Sequence, residues 1–137
     1  MNAPANLATA LGRILIALIF IRAGISQFGA PERTVVEMTN HGIPFAGLLV
    51  WGVIAVELGA GLLLIAGLYT RCAALALFFY TLVLAFVFHA YWAMPAAQAR
   101  TQASAFFVHL SMMGGMLFVV AFGAGAYSVD ALLRRKA

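Results

Sequence analysis

AVELGAGLLLIAGL, residues 55 to 68, reads as a helix dissolved in lipid except at one position, Glu57. Aliphatic and small side chains fill the rest of it, and no other residue in the run is charged. A carboxylate near the middle of a membrane helix costs about 2.5 to 3.5 kcal/mol to insert unless it is protonated, paired or placed in a wet cavity. The stretch sets the environment of the chain and singles out one side chain within it.

The flanking sequence has the same character. Of 137 residues, 65% are hydrophobic and 9% charged, and the mean hydropathy of +1.03 is far from that of a soluble domain. Since a crossing takes roughly 20 apolar residues, this length holds four and little else. Apolar blocks lie at about 7–28, 46–68, 73–92 and 105–125. They predict an all-α, antiparallel four-helix bundle, an integral membrane protein with residues 1–137 forming one transmembrane domain. Between the first two blocks, Pro31, Gly42 and Pro44 break the helical pattern, and Glu32, Arg33 and Glu37 read as a loop in water. Tyr69, Thr70 and Arg71 read as a tight turn, and 94–104 as a second polar connection. The first block lacks a convincing cleavage site and is expected to be retained.

Arg71, Arg134, Arg135 and Lys136 fall on one side of such a bundle, and Arg33 and Arg100 on the other. The bias predicts both termini in the cytoplasm, as in a multi-pass protein of a bacterial inner (plasma) membrane. A net charge of +4, small and scattered, argues against a nucleic-acid partner. The lone Cys72 rules out an internal disulfide. The expected partners are the lipid bilayer, a soluble or membrane redox protein, and a second copy of the chain in a homo-oligomer.

Counting from Ala46, Glu57 lies about 16 Å into its helix, near the bilayer centre. Arg22, on the first block, is the natural counter-charge for a bidentate pair. His89 and His109 enter from the third and fourth blocks at comparable depth. Arg22, Glu57, His89 and His109 are therefore the candidate ligand-binding set, with Glu57 and His109 as the candidate catalytic residues. Arg13, nine positions before Arg22, falls on the opposite helix face, in a different cluster with Asp130. Plainer readings compete: the pair fixes helix register, and His89 joins Tyr91 and Trp92 in an aromatic belt. Met112, Met113 and Met116 fit gap-filling better than copper ligation, so no metal site is assigned. A haem held by two isolated histidines is less well supported than a quinone.

The runs GRILIALIFIRAGISQF (12–28), VELGAGLLLIAGLYTR (56–71) and GAGAYSVD (123–130) together resemble the DoxX family of small four-helix membrane proteins. The resemblance implies a four-helix bundle and an association with redox chemistry, as in a membrane subunit of a thiosulfate:quinone oxidoreductase or a partner in thiol and superoxide stress complexes. Arg13, Gly24, Glu57, Gly61, Gly67, Arg71 and Asp130 match family positions, whereas Arg22 and Gln27 depart from them.

Two functions follow as expectations. In the first, the polar cluster binds a quinone or similar small molecule as part of a quinone-linked oxidoreductase, His89 or His109 donating to a carbonyl and Glu57 accepting a proton. In the second, the protein is a non-catalytic scaffold or a small-molecule permeation element. The sequence has no flavin or nucleotide motif, so a redox role requires a partner.

Overall fold

In the computed structural model, which describes residues 3–136, six α-helices follow one another: α1 (Ala3–Gly29), α2 (Pro31–Asn40), α3 (Ala46–Ala66), α4 (Thr70–Phe88), α5 (Ala96–Phe122) and α6 (Val129–Lys136). Four of them, α1, α3, α4 and α5, are long and apolar enough to cross a membrane. No strand occurs among the described residues. Large apolar side chains such as Leu15, Leu48, Phe79 and Phe118 point outward, as lipid requires.

Small residues set how closely the helices pack. One face of α1 carries Ala10, Arg13, Ala17, Phe20 and Gly24, all buried. It lies against α3, where a Cβ on Gly24 would sit 2.8 Å from the Leu58 side chain and 3.2 Å from the Glu57 Cβ. A Cβ on Gly61 would come 2.8 Å from the Ile21 side chain. These glycines permit the close backbone approach typical of membrane helix pairs. The centre is filled by Ala17, Phe20, Leu64, Ala73, Ala74, Leu77 and Met116.

Three segments differ from the sequence expectation. Residues 31–40 form α2 instead of an irregular loop, with Pro31 in the first turn, where its missing N–H costs nothing, and Glu32 beside it. Met38 of α2 packs on Ala46, Val50 and Ile54, so α2 lies along the first half of α3. Part of the second polar connection is likewise helical, as the start of α5. The turn between α3 and α4 lies at 67–69, because Gly67 (φ 69°) ends α3 in the left-handed region and the amide of Leu68 bonds back to the Leu63 carbonyl at 3.0 Å.

Candidate functional site

Helix ends leave carbonyls and amides without partners, and the end of the bundle at the α3–α4 turn satisfies them with charged side chains. Arg13 is 3% exposed, and its Nη1 donates to the carbonyls of Leu64 (3.0 Å) and Ile65 (3.1 Å) at the end of α3. Its Nη2 donates to the Tyr127 carbonyl. Asp130 works at the opposite pole, its carboxylate accepting from the amides of Tyr69 (2.9 Å) and Thr70 (3.0 Å) at the start of α4. Its own amide bonds to the Gly67 carbonyl at 2.8 Å. A cation at a helix C-terminus and an anion at a helix N-terminus both oppose the helix dipole. Arg71 adds a bond from Nη2 to the Ala121 carbonyl (3.3 Å), and the Asn6 side chain accepts from the Ala126 amide (3.3 Å). The residues 123–130 thus clasp the bundle, and the roles of Arg13, Gly67, Arg71 and Asp130 are structural.

Partial burial works against the Asp130 carboxylate, but the amides of Thr70 and Tyr69, the Thr70 hydroxyl and the nearby Arg134 together hold its carboxyl below the ordinary carboxylate value. A group depressed in the folded state contributes stability that is complete above its unfolded value and is lost as pH falls through the folded one. Melting temperatures in detergent should therefore fall on acidification below about pH 4, and the slope in that window should be shallower in Asp130→Asn. Identical acid profiles for the two proteins would show that the cap contributes nothing.

A second polar layer crosses the middle of the bundle. Glu57, the twelfth residue of α3 and 2% exposed, accepts a 2.6 Å bond at Oε1 from the Tyr80 hydroxyl of α4. Gln27 of α1 lies beside both. Two acceptors in this layer are buried without a partner, Glu57 Oε2 and Gln27 Oε1.

Arg22 is not part of it. The structure leaves Arg22 exposed, and among the described residues it forms no ion pair with Glu57. The reason is the helix face: Gly24 abuts Glu57, and two residues away along α1 the side chain has turned by about 200°. Arg13 and Arg22 do lie on opposite faces, but the inward one is Arg13. The partner of Glu57 is a phenol in place of a guanidinium, and it serves one carboxyl oxygen only.

His89 and His109 meet each other, their ring centres 4.7 Å apart. The Nδ1 of His109 donates to the Ala105 carbonyl at 2.7 Å, and that of His89 faces the Gln102 carbonyl oxygen at 2.7 Å. With the Nδ1 protons so engaged, the neutral rings present Nε2 as an acceptor. Donation to a ligand carbonyl by His89 or His109, as expected from sequence, would require that ring to be protonated or re-oriented. The histidines also stand apart from Glu57, since His89 follows Tyr80 by nine residues and thus by about 13 Å along the axis.

A groove runs from Tyr80 to His89. It has a volume of about 900 Å³ and runs between α3 and α4 beneath α2. Val53, Val56, Val83, Leu84 and Phe88 form apolar walls, Gln27 and Tyr80 lie at one end, and Arg33, Thr34, His89 and Gln102 at the other. His41 lies beside it, its ring tilted 45° against Phe88 with centres 4.6 Å apart and its Nδ1 3.6 Å from Glu37. Gln27, Tyr80 and Gln102 were not singled out as ligands from sequence. A tyrosine or glutamine amid apolar neighbours carries no charge to flag it, although Gln27 shows itself as a departure from the family pattern.

Four apolar helices, a charged clasp at one end and a buried carboxyl layer at mid-depth define a multi-pass helical membrane protein. The chain belongs to the DoxX family, which matches residues 8–90 and so includes Arg13, Glu57, Gly67, Tyr80 and His89. It is 35% identical over 126 residues to the inner membrane protein YqjF of Escherichia coli K12, covering 92% of each chain. It is also 32% identical over 120 residues to the inner membrane protein YphA of the same organism, covering 88% of this chain and 86% of that one. It is a multi-pass inner membrane protein. No solved structure matches it.

Proposed function

We propose that this protein binds a small membrane-soluble molecule of the quinone class in the groove between α3 and α4, as the membrane subunit of a redox assembly. The observation that supports the reading is the groove itself, whose apolar walls lead to the Gln27–Glu57–Tyr80 layer. Phe79 and Val83 are exposed beside it, so a ligand dissolved in the bilayer can enter sideways without crossing water. Ligand pockets of this kind combine mostly apolar lining with a few fixed polar groups that orient the bound ring. A redox partner exchanges electrons with the bound ring, since this chain carries no flavin or nucleotide motif.

The test is a melting experiment on the purified protein in detergent with a decyl-substituted 1,4-benzoquinone and its hydroquinone. A ligand that binds only the folded state should stabilise it by about 2.7 kcal/mol at a hundredfold excess over Kd. Val53→Trp, which fills the groove, should abolish the shift, and Arg22→Leu should preserve it. Absence of a shift with either ring form would reject the reading in favour of a scaffold or permeation element.

A further inference from the structure

We infer that the end of the bundle formed by the α3–α4 turn and α6 binds the phosphate of an anionic phospholipid between Arg71 and Arg134. Because α3 and α4 both cross the membrane, the turn that joins them lies at one bilayer surface, at the depth of the lipid headgroups. A hollow of about 340 Å³ opens there, with the two arginines and Asp130 in its lining and Tyr69, Phe122 and Leu133 as its apolar part. Arg71, Arg134 and the neighbouring Arg135 are all exposed, so their donors are reachable from outside.

These cations lack a counter-charge within the protein. Of the four acidic residues of the chain, Glu32 and Glu37 lie on α2 and Glu57 at mid-bundle, which leaves Asp130 alone at this end. Both Asp130 oxygens are engaged with the amides of Tyr69 and Thr70, and among the described residues no arginine here forms an ion pair. Two arginines against one carboxylate leave the lining positive. Each guanidinium is also held in place by a bond that leaves most of its donors free. Arg71 keeps its Nη2 bond to the Ala121 carbonyl and lies over Gly123, where an added Cβ would come 3.5 Å from its Nε. Arg134 donates from Nε to the Asp130 carbonyl, so both of its Nη groups are open. Two such forks suit the oxygens of one phosphodiester. The exposed Phe122 and Leu133 add apolar contact for the glycerol and first acyl carbons, which a free phosphate lacks. Basic pockets between membrane helices hold lipid headgroups in this way.

The experiment titrates dioleoyl-phosphatidylglycerol, or dioleoyl-phosphatidylcholine with the same chains, into the intact chain in dodecyl maltoside and reads an apparent Kd from the rise in melting temperature. The choline head carries a cation that the two arginines repel. Binding of phosphatidylglycerol is expected to be tighter by about tenfold or more, since each arginine near a lipid surface contributes about fivefold. Arg134→Gln, which loses only a bond within α6, should lower that preference about fivefold, as should Arg71→Gln, whereas Arg71→Lys should retain most of it. Arg33→Gln removes a cation on α2, at the far end, and should leave the preference unchanged. Melting without added lipid verifies that each variant is folded. Equal affinity for the two lipids, or an equal loss in Arg33→Gln and Arg134→Gln, would overturn the site. Full displacement of the lipid by an equal concentration of glycerol 3-phosphate would overturn the lipid assignment in favour of a soluble phosphate.

Discussion

Arg13→Leu should lower the melting temperature in detergent by about 10 °C or more, the largest loss expected for any single substitution of a charged residue in this chain. The guanidinium serves three carbonyls, those of Leu64, Ile65 and Tyr127, from a site that is 3% exposed. A buried acceptor left without its donor costs about 1 to 3 kcal/mol, and leucine can serve none of the three. Lysine keeps the charge but lacks the planar fork that reaches α3 and the clasp together, so Arg13→Lys should fall between leucine and the native residue. Arg22→Leu is the control: the side chain is exposed, and its removal should change stability by less than about 0.5 kcal/mol. Gly67→Ala should resemble the Arg13 loss, because α3 ends there at φ 69° and an added Cβ would collide with the Arg13 guanidinium. Equal melting temperatures for the Arg13→Leu and Arg22→Leu proteins would refute this account of the clasp.

The second large effect belongs to the mid-bundle layer. Tyr80→Phe removes the donor of the 2.6 Å bond and leaves a buried carboxyl without it, at a cost of about 1.5 to 3 kcal/mol. Glu57→Leu strands the phenol hydroxyl of Tyr80 in the same way. The double variant replaces both partners by apolar groups and should be more stable than either single variant, with a coupling energy of about 1 to 3 kcal/mol. Simple additivity would mean that the two side chains do not depend on each other.

The four crossings were readable because each is a long apolar run bounded by polar residues, and that pattern survives any detail of packing. The α2 helix was not recognised, although Pro31 followed by Glu32 is a helix-start signal, because its charged residues outweighed Val35 and Met38, whose spacing of three marks the face that packs on α3. Glu57 stood out as a charge in lipid, and its burial matches its prominence in the sequence. Depth alone points to the wrong partner, Arg22. The residues Ala10, Arg13, Ala17, Phe20 and Gly24 repeat at spacings of three and four and trace the inward face of α1, and Arg22 lies off that line. What could not be read was the phenol in place of a counter-charge, since tyrosine in an apolar helix looks like any other core aromatic. The meeting of the two histidines depends on a side-chain approach between α4 and α5 that no spacing within one helix encodes.

The clasp also orders events during synthesis. Arg13 lies on α1 and is made before the other three crossings, whereas Tyr127, which completes its coordination, and Asp130, which caps α4, follow all four in the chain. Until then the guanidinium has at most the two carbonyls at the end of α3, and α4 begins without its cap. A nascent chain interrupted before residue 127 therefore leaves the guanidinium one carbonyl short and the Tyr69 and Thr70 amides uncapped, so the bundle closes only once the 123–130 segment has been made.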